Sequence, residues 1–221
     1  NDMSITRRHV LAGTAGLGLA GLAGGAVLLT RSRGGGNGAS GTAAAEMTAN
    51  DVLHDPDNPV LGNPEGTLTI VEYFDYQCPY CKLGHAMLTR VVGEDGDIRL
   101  VMKDWPIFGA PSVLASQLVL GAAAMGDYAQ AHKALMATEA RLSEDRIRQV
   151  LGDGGIDTEA ALAAYRAERD KWDGLLARNS AQAAALGLRG TPAFIIGRTI
   201  HPGALDETRL RGAIAQARRT S

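Results

Sequence analysis

A Cys-x-x-Cys pair closes the segment Glu72-Tyr-Phe-Asp-Tyr-Gln-Cys-Pro-Tyr-Cys81, directly after a run of strand-forming residues. Residues 67–74 are mostly β-branched, aliphatic or aromatic and contain no Gly or Pro, which predicts a buried strand. From Pro79 onward, apolar side chains recur at helical spacing, so a helix is expected to begin at the cysteines. Gly93 and Gly96 are expected to end that helix.

The position of the two thiols favours disulfide exchange. Cys78 is expected at the helix N-terminus, where unpaired backbone N–H groups and the helix dipole stabilise a thiolate, the species that attacks disulfides. Pro79 suits the first helical position because it has no N–H group to leave unpaired. Cys81 lies one turn further along and is expected to be less exposed, so it would resolve a mixed disulfide formed at Cys78. The Cys78–Cys81 pair would itself be the redox group, with no organic cofactor and no metal.

Strand and helix patterns alternate through the rest of the chain. A second strand is predicted at residues 98–102. Residues 111–187 carry almost no strand signal and contain several stretches with helical spacing. Ser143 and Asp157 are predicted to begin two of these helices.

The last 30 residues or so predict a return to strands. Gly190-Thr191-Pro192 precedes a short apolar strand at 193–196. Gly197-Arg198 is expected to turn into a second strand, which would make a hairpin. Residues 206–218 predict a closing amphipathic helix, with Leu210 and Ile214 facing inward.

Two motifs carry a resemblance to a known family. The segment ending in Cys81 resembles the active-site segment of the DsbA-like thiol–disulfide oxidoreductases. Gly190-Thr191-Pro192, followed by a predicted strand, resembles the cis-proline loop of the same family. The motifs occur in the family's order, and the resemblance spans about residues 60–220. Within the family, Lys103-Asp-Trp-Pro-Ile-Phe-Gly109 is most similar to the ScsC and Com1 type, which is linked to copper tolerance or to general thiol redox chemistry in the cell envelope.

This resemblance implies an α/β architecture, namely a thioredoxin-like fold with an inserted helical domain. Residues 67–108 would form the first half of the thioredoxin fold and residues 188–221 the second half. Residues 109–187 would form the helical insertion between them.

The resemblance also implies which residues meet the substrate. Thr191 and Pro192 would lie against the cysteine pair, with Pro192 in the cis form. Together with Pro79 and Tyr80 they would line the substrate groove.

Glu72 matches a buried acid that helps proton transfer in the family, and Lys103 is its candidate partner. From the residues alone, Glu72 as a salt-bridged residue on an edge strand remains the alternative. Tyr80 stands where DsbA itself has a histidine that strongly stabilises the thiolate, which argues against a very oxidising potential. His85, four residues after Cys81, is expected to be a solvated surface histidine.

The first 33 residues have the pattern of an export signal or a membrane anchor. Thr6-Arg7-Arg8 precedes the uncharged apolar run Val10–Leu29, and the arginine pair resembles a twin-arginine signal. A helix over that run would be about 30 Å long, enough to cross a bilayer, so an anchor is the alternative. Residues 34–66 are expected to form a linker and an N-terminal extension. The body of the protein is therefore expected in the periplasm or cell envelope.

The overall composition excludes several other classes of protein. The 221 residues are 45% hydrophobic and 21% charged, so the chain can bury a core and global disorder is not expected. A net charge of −2 argues against a protein that coats nucleic acid. Two cysteines exclude a disulfide-dense scaffold.

Three functions stay open from the residues. The main hypothesis is an exported protein disulfide oxidoreductase, with oxidation of substrate thiols favoured over reduction or isomerisation. A periplasmic Cu(I)-binding protein is the first alternative, because two thiolates suit this soft ion. An anchored interaction protein with an inert thioredoxin fold is the second. Expected partners of the oxidoreductase are unfolded or misbridged exported proteins and a membrane redox partner that resets the pair, with the chain itself a monomer.

Overall fold

The computed structural model describes residues 47–139 and 141–220. Five strands in this part of the chain form one sheet: β1 (Val60–Gly62), β2 (Leu68–Phe74), β3 (Ile98–Asp104), β4 (Ala193–Ile196) and β5 (Thr199–Pro202). Their order across the sheet is β1-β3-β2-β4-β5, with β2 and β3 parallel and the other neighbours antiparallel. The helices are α1 (Ala49–Leu53), α2 (Pro79–Asp95), α3 (Ala110–Ala124), α4 (Tyr128–Met136), α5 (Glu144–Asp153), α6 (Thr158–Ala167), α7 (Arg169–Ala185) and α8 (Glu207–Arg219).

The sheet is covered on both faces, because side chains alternate along each strand. Ile70, Phe74 and Leu100 face α2 and α8 in the larger core. Val71 and Tyr73 face the opposite way, towards α1 and α7. Neighbouring residues of β2 therefore belong to different cores, and this alternation decides which side chains reach the cysteines.

Helices α3 to α7 form an insertion between β3 and β4, which is the thioredoxin-like α/β fold with a helical insertion that the sequence predicts. Within the insertion, α3 packs closely on α6. A Cβ atom at Gly121 would overlap the carbonyl oxygen of Ala161, so glycine permits this close approach.

Most predicted elements are confirmed, and Ser143 and Asp157, predicted to begin helices, are the N-caps of α5 and α6. Asp206 is the N-cap of α8, and all three side chains accept hydrogen bonds from backbone N–H groups. The predicted helix break at Gly93 is wrong. Gly93 lies inside α2, which ends at Gly96, where φ is 71° and glycine is favoured.

The predicted extension at residues 34–66 contains two elements that the sequence pattern did not indicate. Helix α1 is held by a capping box between Thr48 and Asp51 and buries Val52. Strand β1 is only three residues long and pairs antiparallel with β3. Such a short strand has too little periodicity to be recognised alone, and its pairing with β3 stabilises it.

The predicted signal or anchor at residues 1–33, and the Gly-rich part of the linker up to Ala45, lie outside the described residues. Across residues 47–139 and 141–220, no helix is both long enough and apolar enough to cross a bilayer.

Candidate active site

Three loops meet at one edge of the sheet. Because β2 and β3 are parallel, their carboxyl ends lie at the same edge, and the antiparallel β4 begins there. The loop before α2 carries Cys78, the loop after β3 begins with Trp105, and the loop before β4 carries Pro192. Residues distant in sequence are thereby gathered around the cysteine pair.

Cys78 is the N-cap residue of α2, and Pro79 is the first helical residue, as the sequence predicts. The backbone N–H of Cys81 donates to Cys78 Sγ over 3.4 Å. The Cys81 thiol and nearby backbone N–H groups stabilise negative charge on this sulfur, so the pKa of Cys78 falls from 9.0 to about 6, although burial opposes the shift. At neutral pH, Cys78 is therefore mostly a thiolate.

Cys81 has the opposite character. Both cysteines are free, and each residue is only 1% exposed. Burial raises the pKa of Cys81 far above its usual value, and its hydrogen bond to Cys78 and the charge of Glu72 act in the same direction. The pair thus combines one reactive thiolate with one protected neutral thiol.

The ionisation of Cys78 leads to a prediction about pH. In the reduced protein, the ultraviolet absorbance of the thiolate should appear with a midpoint near pH 6, because Cys78 ionises there and Cys81 stays protonated. The thiolate also stabilises the reduced fold, and this contribution is lost as pH falls through about 6. The Cys78→Ser variant is the control and should lack the transition. A midpoint near pH 9 would contradict the assigned environment.

The loop before β4 lies against the reactive sulfur. The Thr191–Pro192 peptide bond is cis, and the Thr191 carbonyl oxygen is 3.2 Å from Cys78 Sγ. Pro192 lines a small cavity together with Tyr80 and Cys81, and Tyr80 is 62% exposed. Thr191, Pro192 and Tyr80 are thus brought together beside the cysteines. Pro79 instead lines the opposite flank of α2.

Glu72 points into the same cavity as Cys81 and Pro192. It is 3% exposed in the middle of the sheet, so the alternative of a salt-bridged edge residue is wrong. Burial, reinforced by the charge of Cys78, raises the pKa of Glu72 to about 8. A carboxyl group that binds protons in this range is suited to exchange a proton with a buried thiol.

The predicted pairing of Lys103 with Glu72 is wrong. Lys103 stands opposite Tyr73 in the β2–β3 register, whereas Glu72 stands opposite Met102. Strand alternation therefore places Lys103 on the other face of the sheet, where its Nζ donates to Asn179 Oδ1 over 3.4 Å. The sheet separates Lys103 from the cysteine pair, and no proton-transfer role follows for it.

Asp75, which follows β2 directly, organises the site. Its buried carboxylate accepts hydrogen bonds from the backbone N–H groups of Gln77, Ile107 and Phe108 at 2.7, 2.7 and 3.1 Å. It also accepts one from the Ser112 hydroxyl at 2.8 Å. An Asp directly after a strand is a common turn-forming signal. Its link to the loop after β3 depends on the tertiary structure.

Replacing Asp75 with alanine should lower the free energy of unfolding by about 3 kcal/mol, because four donors lose a charged acceptor. Urea denaturation measures the effect. Exposed Asp145 provides the matched control, and Asp145→Ala should change stability by less than about 0.5 kcal/mol. Equal effects of the two substitutions would contradict the organising role of Asp75.

A buried polar cluster lies beneath the active-site turn. The Tyr76 hydroxyl and His132 Nδ1 are 3.0 Å apart, and both residues are fully buried. His85 was expected to be solvated, but it is half-buried with its ring centroid 4.9 Å from that of His132. The helical spacing of His85 did not reveal this neighbour because His132 comes from α4 in the insertion.

The described residues contain no group of three or more His, Cys, Asp and Glu side chains arranged to hold a metal ion. The two cysteine sulfurs are the soft ligands at the candidate site.

Solved structures similar to this chain include the following three thiol–disulfide proteins. A thioredoxin-like oxidoreductase from Silicibacter pomeroyi DSS-3 is 35% identical, with a TM-score of 0.75 over 79% of this chain and all of that chain. The thiol-disulfide exchange protein alpha-DsbA2 from Wolbachia pipientis is 26% identical, with a TM-score of 0.70 over 75% of this chain and 90% of that one. The catalytic domain of Proteus mirabilis ScsC is 29% identical, with a TM-score of 0.67 over 76% of this chain and 93% of that one.

Curated relatives include the Na(+)/H(+) antiporter NhaA 1 of Mycobacterium sp. (strain KMS), 27% identical over 162 residues. The match covers 72% of this chain and 26% of that protein, so the chain spans about a quarter of this relative's length. The family model for the DSBA-like thioredoxin domain matches residues 69–215, which include both cysteines and Pro192. The chain therefore belongs to the DSBA-like thioredoxin domain family of thiol–disulfide oxidoreductases.

Proposed function

We propose that this protein is an exported thiol–disulfide oxidoreductase that exchanges disulfides with other proteins through Cys78 and Cys81. The supporting observation is the contrast within the pair. Cys78 is stabilised as a thiolate at the start of α2, whereas Cys81 is buried and neutral beside Glu72. A structural disulfide would not need this asymmetry.

The favoured direction is oxidation of substrate thiols. A substrate thiolate attacks Cys78 Sγ of the oxidised pair, the Cys78–Cys81 bond breaks, and the Cys81 sulfur takes up a proton, with Glu72 as the proton donor. A second substrate thiolate then attacks the substrate sulfur of the mixed disulfide and releases Cys78 as a thiolate. The substrate loses two electrons and the cysteine pair gains them. A low pKa makes Cys78 a good leaving group in the second step.

The proposed substrates are unfolded or misbridged proteins of the periplasm or cell envelope. Tyr80 beside Pro192 offers an exposed ring to such chains. A membrane redox partner would reoxidise the pair after each cycle. Delivery through the twin-arginine-like segment at residues 1–33, and the monomeric state, are parts of the same proposal.

The reduction potential tests the direction. The full chain is equilibrated with glutathione buffers, and the oxidised fraction is read after acid quenching and thiol labelling. We expect a value between those of strong oxidants, about −120 mV, and protein disulfide isomerase, about −180 mV, because Tyr80 replaces the histidine of DsbA. A value near −270 mV would overturn oxidation and assign the protein to reduction. Stoichiometric Cu(I) binding that survives a strong chelator, combined with slow exchange, would favour the copper-binding alternative.

A further inference from the structure

Three buried residues connect β2 to the reactive cysteine. Asp75 follows β2 directly, and the backbone N–H of Cys78 donates to the Asp75 carbonyl oxygen over 3.0 Å. This bond closes a tight turn, in which Tyr76 and Gln77 hold the two central positions. The backbone dihedral angles of these two residues set the direction in which the chain enters α2. They therefore set where Cys78 Sγ lies relative to the N–H groups at the start of that helix.

Side chains of this turn contact the helical insertion. The Asp75 carboxylate accepts a hydrogen bond from the Ser112 hydroxyl of α3. The Tyr76 hydroxyl lies 3.0 Å from His132 Nδ1 of α4. Gln77, the residue directly before the reactive cysteine, makes a third contact with the end of the loop before α5. The insertion thus reaches each of the three residues that precede Cys78.

The contact at Gln77 holds its side-chain amide in two directions. Gln77 Nε2 donates to the Leu142 carbonyl oxygen over 2.6 Å, and the Leu142 N–H donates to Gln77 Oε1 over 2.8 Å. An amide that is bonded through both its donor and its acceptor cannot rotate without losing at least one of the bonds. Gln77 is also buried, so water does not compete readily for this contact.

The backbone that Gln77 contacts is itself firmly placed. Leu142 is 3% exposed, and its side chain belongs to the larger core. The next residue, Ser143, is the N-cap of α5. Because core packing and the start of a helix fix Leu142 from both directions, its backbone is a rigid anchor for the turn.

We propose that Gln77 is a positioning residue for the reaction at Cys78, through which the helical insertion holds Cys78 Sγ at the N-terminus of α2. The contact with Leu142 fixes the second central residue of the turn, whose carbonyl carbon is bonded to the Cys78 nitrogen. In that position the sulfur accepts the hydrogen bond from the Cys81 N–H. The inference rests on the proposed function and adds a role for the insertion to it.

Loss of this contact should raise the pKa of Cys78. Without the Gln77–Leu142 hydrogen bonds, the turn can adopt other backbone angles, and Cys78 Sγ spends less time within reach of the Cys81 N–H. The thiolate then loses part of the stabilisation that the helix N-terminus provides. Methionine is the suitable replacement for Gln77, because it has a similar length and flexibility but makes no strong hydrogen bond.

The matched control is a second buried glutamine that is bonded in the same way. Gln182 of α7 accepts a hydrogen bond from the Tyr73 hydroxyl at 3.2 Å and donates to the Asp51 carbonyl oxygen at 3.0 Å. Tyr73 and α7 lie on the face of the sheet opposite the cysteines. Gln77→Met and Gln182→Met each remove one donor and one acceptor, so both should lower the urea midpoint of the reduced full chain.

Only Gln77→Met should change the ionisation of Cys78. We expect its thiolate absorbance to appear with a midpoint at about pH 7 instead of about 6, which is about a tenfold loss in the acid dissociation constant. Gln182→Met should keep the midpoint of the parent.

This shift reports the position of the sulfur, because the ionisable neighbours of Cys78 stay the same. Glu72, Cys81 and Lys82 interact electrostatically or by hydrogen bonding with Cys78, and neither variant alters them.

Reaction with the small disulfide formed by two thionitrobenzoates gives a second measurement. The Cys78 thiolate attacks one sulfur of this reagent, a mixed disulfide forms, and one coloured thionitrobenzoate leaves as a thiolate. A thiolate with a higher pKa is scarcer at low pH but more nucleophilic once formed. Gln77→Met should therefore react about threefold more slowly than the parent at about pH 5, and about threefold faster at about pH 8. Gln182→Met should follow the parent at both pH values.

A midpoint near that of the parent in folded Gln77→Met would overturn the inference and leave Gln77 a purely structural role. An equal shift in Gln182→Met would also overturn it, because the shift would then follow the loss of stability. If circular dichroism shows Gln77→Met to be unfolded, Gln77→Asn replaces it. Its amide is one methylene shorter and falls short of Leu142, so the same rise of the midpoint is expected.

The small disulfide also separates failure of the inference from failure of the proposed function. If the parent does not react even with this reagent, the proposed function fails and the inference with it. If the parent reacts normally and the folded Gln77 variants behave like it at every pH, only the inference fails.

Discussion

Replacing Cys78 with serine is expected to abolish thiol–disulfide exchange, with a loss of at least about a thousandfold. The reason is chemical, because a serine hydroxyl is not ionised near neutral pH, whereas Cys78 has a pKa of about 6. The measurement is the rate at which the full chain oxidises a peptide dithiol in a glutathione buffer.

Cys81→Ser is the matched variant, and its expected phenotype is different. Cys78 should still form a mixed disulfide, but without Cys81 the protein cannot resolve it, so the adduct accumulates and is seen by mass spectrometry. Cys78→Ser should give no such adduct because the remaining thiol is buried and neutral. Adducts of equal amount in the two variants would contradict the assignment of the attacking and resolving roles.

Replacing Glu72 with glutamine is expected to stabilise the protein at neutral and alkaline pH. The pKa of Glu72 is raised from 4.5 to about 8, so the folded state holds a proton that the unfolded state releases. Stability therefore falls as pH rises from 4.5 to about 8. Glutamine removes this dependence, and the gain at pH 7 is of the order of 3 kcal/mol.

Urea denaturation of the reduced proteins at several pH values measures this effect. Exposed Glu65 provides the control, and Glu65→Gln should follow the parent curve. The gain from Glu72→Gln should vanish as pH falls to about 4.5. Below this unfolded-state pKa, Glu72 is protonated in both the folded and the unfolded protein. A gain that is independent of pH would show that burial of the carboxylate is not its source.

The same substitution should slow catalysis while it increases stability. Glu72 shares a cavity with Cys81, whose pKa is far above neutral. When Cys81 attacks the mixed disulfide, which is the reverse of the first step of substrate oxidation, its proton therefore needs an acceptor, and Glu72 takes back the proton that it donates in the forward step. Glu72→Gln should therefore slow the decay of the mixed disulfide about 10- to 100-fold, and the rise of that rate with pH through about 8 should disappear. Formation of the mixed disulfide at Cys78 should change much less.

The strand-to-helix segment that carries the cysteines was predictable because its signals are local. A β-branched and aromatic run forms β2, Pro79 suits the first turn of a helix, and Cys78 becomes the N-cap. The elements of the insertion were predictable for the same reason, since Ser143 and Asp157 cap their own helices. Resemblance of the two motifs to the DsbA-like family then indicated how these elements connect.

The partners of individual side chains were not predictable. The family resemblance pairs Lys103 with Glu72, yet the β2–β3 register places them on opposite faces. Asp75 reaches the loop after β3 across more than 30 residues of sequence, and His132 reaches His85 from α4. The spacing of residue types along the chain carries no information about contacts between residues so far apart in sequence.

The sequence was enough to identify the redox pair, the strand and helix that carry it, and the Gly190-Thr191-Pro192 motif near the end of the chain. These follow from backbone preferences and from chemistry within a few residues. Only the assembled structure shows how far burial shifts the pKa values of Cys81 and Glu72, which groups Asp75 connects, and how the helical insertion contacts the turn before Cys78. Burial shifts proton affinities, and strand register chooses the neighbours of each side chain, so both arise only when the whole sheet and its covering helices are assembled.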